Sequence, residues 1–238
     1  MRAAGELRVG AAFPDPPFND TSGGGLDIDL ITEIATALGM SVNFLRYDGT
    51  DFNGIFDMLD SGAYDCVTSG TTVTPGRGER AAFCVPYLIS GQSLAVDTTR
   101  LPGVHSVDDL DGLTIGVQQG NTSQPIADEL VASGKAARVR VYDYGGIRSA
   151  LTDLTTGGCD AFMKLAPVLT ELVEPLDDVD VVQRGISSEK IAIAVPTANR
   201  DLLDQINAAQ SDLEVNGKLP EIRRRWLGSP QLDQSERR

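Results

Sequence analysis

Leu113-Thr114-Ile115-Gly116-Val117-Gln118-Gln119-Gly120-Asn121-Thr122-Ser123 reads as an apolar strand over 113–118, a polar loop over 119–122 and the first turn of a helix. The helical pattern runs on to residue 132, and a strand over 139–144, a helix over 147–154 and a strand over 160–163 follow. This order restarts one that the chain has already used: strand 7–13, helix 26–38, strand 41–47, a helix around 52–59 and a short strand 64–68. Two successive βαβαβ units predict an α/β fold with largely parallel sheets and two modest cores.

Within the first unit, Leu30, Ile31, Ile34 and Leu38 recur at helical spacing, Asp27 or Asp29 is placed to cap the start, and Gly39 follows the end. After the second unit come an apolar strand over 191–195 and amphipathic helices over 200–213 and 219–226. One strand and two helices cannot enclose a third core, so they are expected to pack back on the first unit. The predicted division is therefore discontinuous, with residues 1–93 and 190–238 in one lobe and 94–189 in the other. Crossings near 91–97 and 187–193 would then form a hinge about which the lobes close. Residues 229–238 read as a polar tail.

A net charge of −14 argues against nucleic acid as a partner, because phosphate binding needs a basic face. No stretch approaches the roughly 20 apolar residues that span a bilayer. The opening Met1-Arg2-Ala3-Ala4-Gly5-Glu6 runs into a strand without an apolar leader segment, so the chain reads as a mature or trimmed form. Cys66, Cys84 and Cys159 lack metal-ligand spacing, and they read either as small buried residues or, for Cys66 and Cys84, as a disulfide. Gly23-Gly24-Gly25 lacks the spacing of a dinucleotide turn and no Gly-Lys-Ser/Thr motif occurs, so no cofactor is expected. His105 lies in a connecting segment with no serine or cysteine partner in view, which leaves no nucleophile and base pair.

Six segments, in order, carry a resemblance. They are Pro16-Pro17-Phe18; Gly25-Leu26-Asp27-Ile28-Asp29-Leu30; Gly70-Thr71-Thr72-Val73-Thr74-Pro75-Gly76-Arg77 with Phe83-Cys84-Val85-Pro86-Tyr87; Gly116-Val117 to Gly120-Asn121-Thr122-Ser123; Gly158-Cys159-Asp160-Ala161; and Asn216-Gly217-Lys218-Leu219 to Trp226-Leu227-Gly228. Together they resemble the family-3 extracellular solute-binding proteins, which include the polar amino-acid-binding proteins of ABC importers. The resemblance implies a two-lobed periplasmic-binding-protein-like fold of type II, with a two-strand hinge. It also implies a monomer outside the cytoplasm, lipid-anchored or free, that hands a small carboxylate ligand to an ABC permease, with no metal, cofactor or catalysis. Two alternatives remain open at this level: a ligand-sensing domain of a receptor, and a dehydratase-like enzyme on the same fold.

The resemblance also places a site. Arg77 matches the position that grips the ligand carboxylate, work suited to a planar guanidinium. Thr72 and Gly70 precede it in the same loop. On the other lobe Asn121 and Thr122 stand at a helix start, where free N–H groups face an anion; Thr122 or Ser123 reads equally as an ordinary helix cap. Phe52 matches an apolar wall or, alternatively, belongs to a core stripe with Ile55, Phe56 and Leu59. Phe13 and Asp15 occupy a loop where relatives present an aromatic and an acid, with Ala12 at the acid's usual place. Leu165 stands where amino-acid binders of the family carry an aspartate for the α-ammonium. Its neighbour Lys164 suggests a second anionic group on the ligand, unless strand alternation turns it to solvent.

Overall fold

Alternating apolar side chains carry β1 (Glu6–Ala12) into the middle of a sheet, where Leu7, Val9 and Ala11 are buried. The computed structural model describes residues 5–20 and 23–228. In it α1 (Leu26–Ala37) buries Leu26, Leu30, Ile31 and Ile34 on one face and leads to β2 (Ser41–Tyr47), which runs parallel to β1 with Leu7 beside Val42 and Val9 beside Phe44. A single turn at Phe52–Gly54 opens α2 (Ile55–Asp60), and β3 (Cys66–Val67) returns parallel on the other side of β1. Then come α3 (Pro75–Gly78), whose first-turn proline needs no hydrogen-bond partner, and β4 (Ala82–Phe83).

The chain now leaves the first sheet through β5 (Leu88–Ser90) and enters the second with β6 (Gln92–Asp97). The repeated unit follows: β7 (Thr114–Gln118), α4 (Ser123–Ala132), β8 (Arg138–Tyr142), α5 (Ile147–Thr156) and β9 (Ala161–Leu165). After it α6 (Ala166–Val173) and β10 (Val179–Gln183) complete the second sheet, in the order β10-β6-β9-β7-β8. The return path is β11 (Glu189–Ile191), paired antiparallel with β5, and β12 (Ala194–Val195), inserted between β3 and β4. Finally α7 (Arg200–Val215) and α8 (Lys218–Leu227) pack on α1, closing the core of the first sheet with Leu202, Ile206, Leu219 and Ile222.

The βαβ strands are parallel as read from the sequence, whereas β12, β6 and β10 are antiparallel to their neighbours. Those strands flank the two passages between sheets, so each meets its sheet from the hinge side. The run over 191–195 is not one strand. Ile191 ends β11 on the hinge ladder, and the chain re-enters the first sheet only at Ala194. The polar tail lies outside the described residues.

Two local readings are corrected. Asp27 does not cap α1: Gly25 holds the N-cap, and the fully buried Asp27 carboxylate accepts hydrogen bonds from the Gly70 N–H at 2.7 Å and from the Tyr87 hydroxyl. Asp29 instead accepts from the Trp226 indole at 2.8 Å, tying α8 to α1. A Cys66 to Cys84 disulfide is also excluded. β12 lies between them, with Ala194 beside both Val67 and Phe83, so they sit two strand spacings apart, about 10 Å. A disulfide needs Cα atoms within about 7 Å, and both thiols are free and buried.

Candidate ligand-binding site

Thr74 starts α3 by accepting the Arg77 N–H on its hydroxyl at 3.2 Å, and that turn aims the Arg77 side chain inward. The guanidinium is buried, lying 4.9 Å from the Phe52 ring centroid and 5.6 Å from that of Phe56. Nε donates to Asn53 Oδ1 at 3.1 Å, Nη1 to the Thr72 carbonyl at 3.0 Å and Nη2 to the Gly120 carbonyl at 2.9 Å. Three of its five N–H donors are thus used, and one remains on each terminal nitrogen, a pair that can take a carboxylate side by side. Burial lowers its pKa to about 10, opposed by the charges of Glu189 and Asp51, so the group stays cationic at neutral pH. Among the described residues no carboxylate forms an ion pair with it.

A second centre lies at the start of β11. The buried Glu189 carboxylate accepts from Thr72 Oγ1 at 2.7 Å and Thr122 Oγ1 at 2.8 Å on one oxygen, and from Gln92 Nε2 at 2.9 Å and Ser187 Oγ at 2.7 Å on the other. Residues of the first-sheet loop, the α4 start and both hinge passages therefore meet on one carboxylate. Thr122 stands at the N-cap of α4 but its side chain makes no cap bond; the hydroxyl is spent on Glu189 instead, which corrects the reading of a simple helix cap. Asn121 Nδ2 and the Ser123 hydroxyl are buried without a partner among the described residues.

The third cluster joins the sheets through Asp15 and Lys164. Lys164 Nζ lies 3.4 Å from Asp15 Oδ1, donates to Gln118 Oε1 at 2.7 Å and stands 5.7 Å from the Tyr144 ring centroid, while the Tyr144 hydroxyl donates to Asp15 Oδ2 at 3.4 Å. Burial raises the Asp15 pKa and the Lys164 charge opposes the rise. Lys164 is only 3% exposed, so it is not turned to solvent. It and Leu165 both line the inner cavity, because Leu165 ends β9 at an extended cap of α6 and the strict alternation fails there.

Site residues line an inner cavity and an outer cleft. The inner cavity, lined by Asp15, Phe52, Gly70, Thr72, Arg77, Gln92, Asn121, Thr122, Lys164 and Leu165, is about 20 Å³, room for about one water. The outer cleft, about 470 Å³, shares Asp15 and adds Phe13, Arg46, Tyr47, Asp48 and Tyr144. Backbone bonds tie the two lobes together across the seam: Phe52 N–H to the Gln119 carbonyl at 3.2 Å and Tyr144 N–H to the Thr50 carbonyl at 2.7 Å. The lobes are shut, and a ligand larger than water enters the inner cavity only when they part.

Residues 7–229 match the model of the bacterial extracellular solute-binding proteins, family 3. The chain belongs to that family. This family-3 solute-binding protein is 26% identical over 234 residues to the L-cystine-binding protein TcyJ of Escherichia coli (strain K12), a match covering 96% of this chain and 85% of TcyJ. It is 28% identical over 220 residues to the arginine-binding periplasmic protein of Mannheimia haemolytica, covering 90% and 87% of the two chains. Among solved structures, an ancestral arginine-binding protein bound to arginine superposes with a TM-score of 0.85 at 33% identity, covering 94% of this chain and 99% of that one. The α/β architecture is thus the two-lobed fold of the periplasmic amino-acid-binding proteins.

In this solute-binding protein the expected ligand contacts Arg77, Thr72, Gly70, Thr122, Asn121, Phe52, Asp15 and Leu165 line one small cavity; Phe13 is half-buried at the outer cleft. Phe52 is both wall and core, packing on Tyr144 with ring centroids 5.1 Å apart and on Ile55 and Phe56 behind. Gln92 and Glu189 went unassigned, and of the two readings of Lys164, a ligand-facing cation or a solvated one, the solvated one is excluded by its burial. The first two sit in the predicted crossings, and that position is the sequence signal that could have flagged them.

Proposed function

We propose that this chain is the extracytoplasmic ligand-capturing component of an ABC importer, that it closes its lobes on an amino acid or related small carboxylate, and that Arg77 holds the acid group. The observation that carries the reading is the buried, cationic Arg77 guanidinium, which spans the interlobe seam to the Gly120 carbonyl with no ion-paired carboxylate among the described residues. A ligand carboxylate on the two remaining Arg77 N–H groups supplies a contact counter-charge beside the Gly120 latch, and it does so only when both lobes are engaged. That is the differential binding that drives closure. The named relatives bind arginine and cystine, both α-amino acids, which supports the ligand class.

In this reading the lobes comprise residues 1–93 with 190–238 and residues 94–189, and the monomer delivers its cargo to a permease in the membrane. It works outside the cytoplasm, in the periplasm or at the cell surface, where a lipid anchor would hold it. Among the described residues no helix is long and apolar enough to cross a membrane. The ligand leaves unchanged: His105 is exposed with its N–H bonded to Asp109, and burial pushes the Cys66, Cys84 and Cys159 thiols up, away from the reactive thiolate.

A thermal-shift panel of amino acids, deaminated analogues and small dicarboxylates tests the proposal. A carboxylate at about 100 times its Kd should stabilise the wild type by about 2.7 kcal/mol and leave Arg77→Ala unshifted. Equal shifts for both proteins, or shifts only with compounds that lack a carboxylate, would contradict it.

A further inference from the structure

We propose that Gln92, backed by the charge of Glu189, receives the ammonium group of the ligand and makes the site selective for amine-bearing carboxylates over plain acids. The inference rests on the amino-acid reading above and deepens it.

An ammonium group brings three N–H donors and a charge that cannot be buried without oxygen acceptors and a nearby anion. Asp15 lines the inner cavity, and the Glu189 carboxylate lies directly behind its lining residues Thr72, Gln92 and Thr122. Asp15 is engaged by Lys164 at 3.4 Å and by the Tyr144 hydroxyl, so its charge is already offset. Glu189 receives only neutral donors and forms no ion pair among the described residues. It and Arg77 compensate one another through space without contact. A zwitterion completes both, acid to Arg77 and amine toward Glu189.

Gln92 provides the contact. It is 2% exposed, and its amide nitrogen donates to Glu189 Oε1 at 2.9 Å and to Thr122 Oγ1 at 3.0 Å. A carboxylate can only accept, so this pairing fixes which end of the amide faces Glu189. The other end, Oε1, is buried with no partner among the described residues, in a side chain that lines the inner cavity. A buried carbonyl left without a donor costs on the order of 1–3 kcal/mol, a cost that an arriving N–H removes. Across the sheet, Gln92 is registered directly against Leu165, whose apolar side chain offers no acceptor. Thr72 adds a second oxygen: its hydroxyl proton goes to Glu189, leaving its lone pairs free beside the same cavity.

The test is isothermal titration of the wild type with the twenty common amino acids and L-cystine. The tightest binder and its deaminated analogue, the same skeleton with hydrogen in place of the amine, are then titrated into wild type, Gln92→Leu and Glu189→Gln. The wild type should prefer the amine form by about 100-fold, and each variant should lose about tenfold or more for the amino acid while the analogue's affinity moves less than about threefold. An analogue that still binds confirms the fold of each variant, and Glu189→Gln keeps the shape of the side chain. Equal losses for both compounds, or no loss for the amino acid, would overturn the role of Gln92 and Glu189 while leaving the amino-acid reading intact. Absence of binding by every amino acid to the wild type would instead overturn that reading, and this inference with it.

Discussion

Arg77 Nη2 donates to the Gly120 carbonyl oxygen at 2.9 Å, so the cation that anchors the site in one lobe also latches the loop of the other. The latch depends on a close approach. Gly120 has φ +77°, and a Cβ there would lie 2.0 Å from Asp51 Oδ1 and 2.9 Å from the Phe52 nitrogen. No other residue fits while the lobes are shut.

Gly120→Ala should therefore weaken binding of the tightest amino acid by about tenfold or more, and small-angle scattering should find its lobes open at saturating ligand. Gly62→Ala is the control. Gly62 has φ +75° with open space around it, so that variant carries the backbone strain of about 1–2 kcal/mol without the clash and should bind as wild type does. Equal affinity losses in both would refute the steric account.

The two-lobed fold was legible in the sequence because its signals are local. Helical spacing of Leu30, Ile31 and Ile34 and the strand, loop and helix run from Leu113 to Ser123 each fall within a dozen residues. Arg77, Thr72 and Thr122 were legible through the motifs that hold them. What escaped was long-range. Glu189 draws its donors from Thr72, Gln92 and Thr122, at separations of 117, 97 and 67 residues, and the Lys164 to Asp15 pair joins different sheets. Asp27 was misread for a related reason: it has the residue type and position of a cap, but Tyr87 and Gly70 recruit it inward.

The Asp15 and Lys164 pair should govern closure. Their side chains are 10% and 4% exposed in the shut state, so removing one charge strands the other, and opening the lobes relieves it. Lys164→Met and Asp15→Asn should each weaken ligand binding, and the double variant should recover part of the loss. A double-mutant cycle on the dissociation constant checks this, with a coupling of about 1–3 kcal/mol expected and strict additivity as the contrary result.

Asp27 makes stability depend on pH. Burial raises its pKa to about 7, against the partly offsetting bonds from Tyr87 and Gly70. The folded protein therefore holds this proton over a range where the unfolded chain has released it. Its contribution is fully present below about pH 4 and lost as pH rises to about 7. Asp27→Asn, followed by urea unfolding across that range, should lose this downward slope relative to wild type. Parallel pH profiles would contradict it.

The most direct test of the central claim is a crystal structure of the protein with the tightest-binding amino acid. The account predicts shut lobes, with the ligand carboxylate within about 3.2 Å of both free Arg77 N–H groups. A carboxylate seated instead in the outer cleft beside Arg46, with the Arg77 donors untouched, would contradict it.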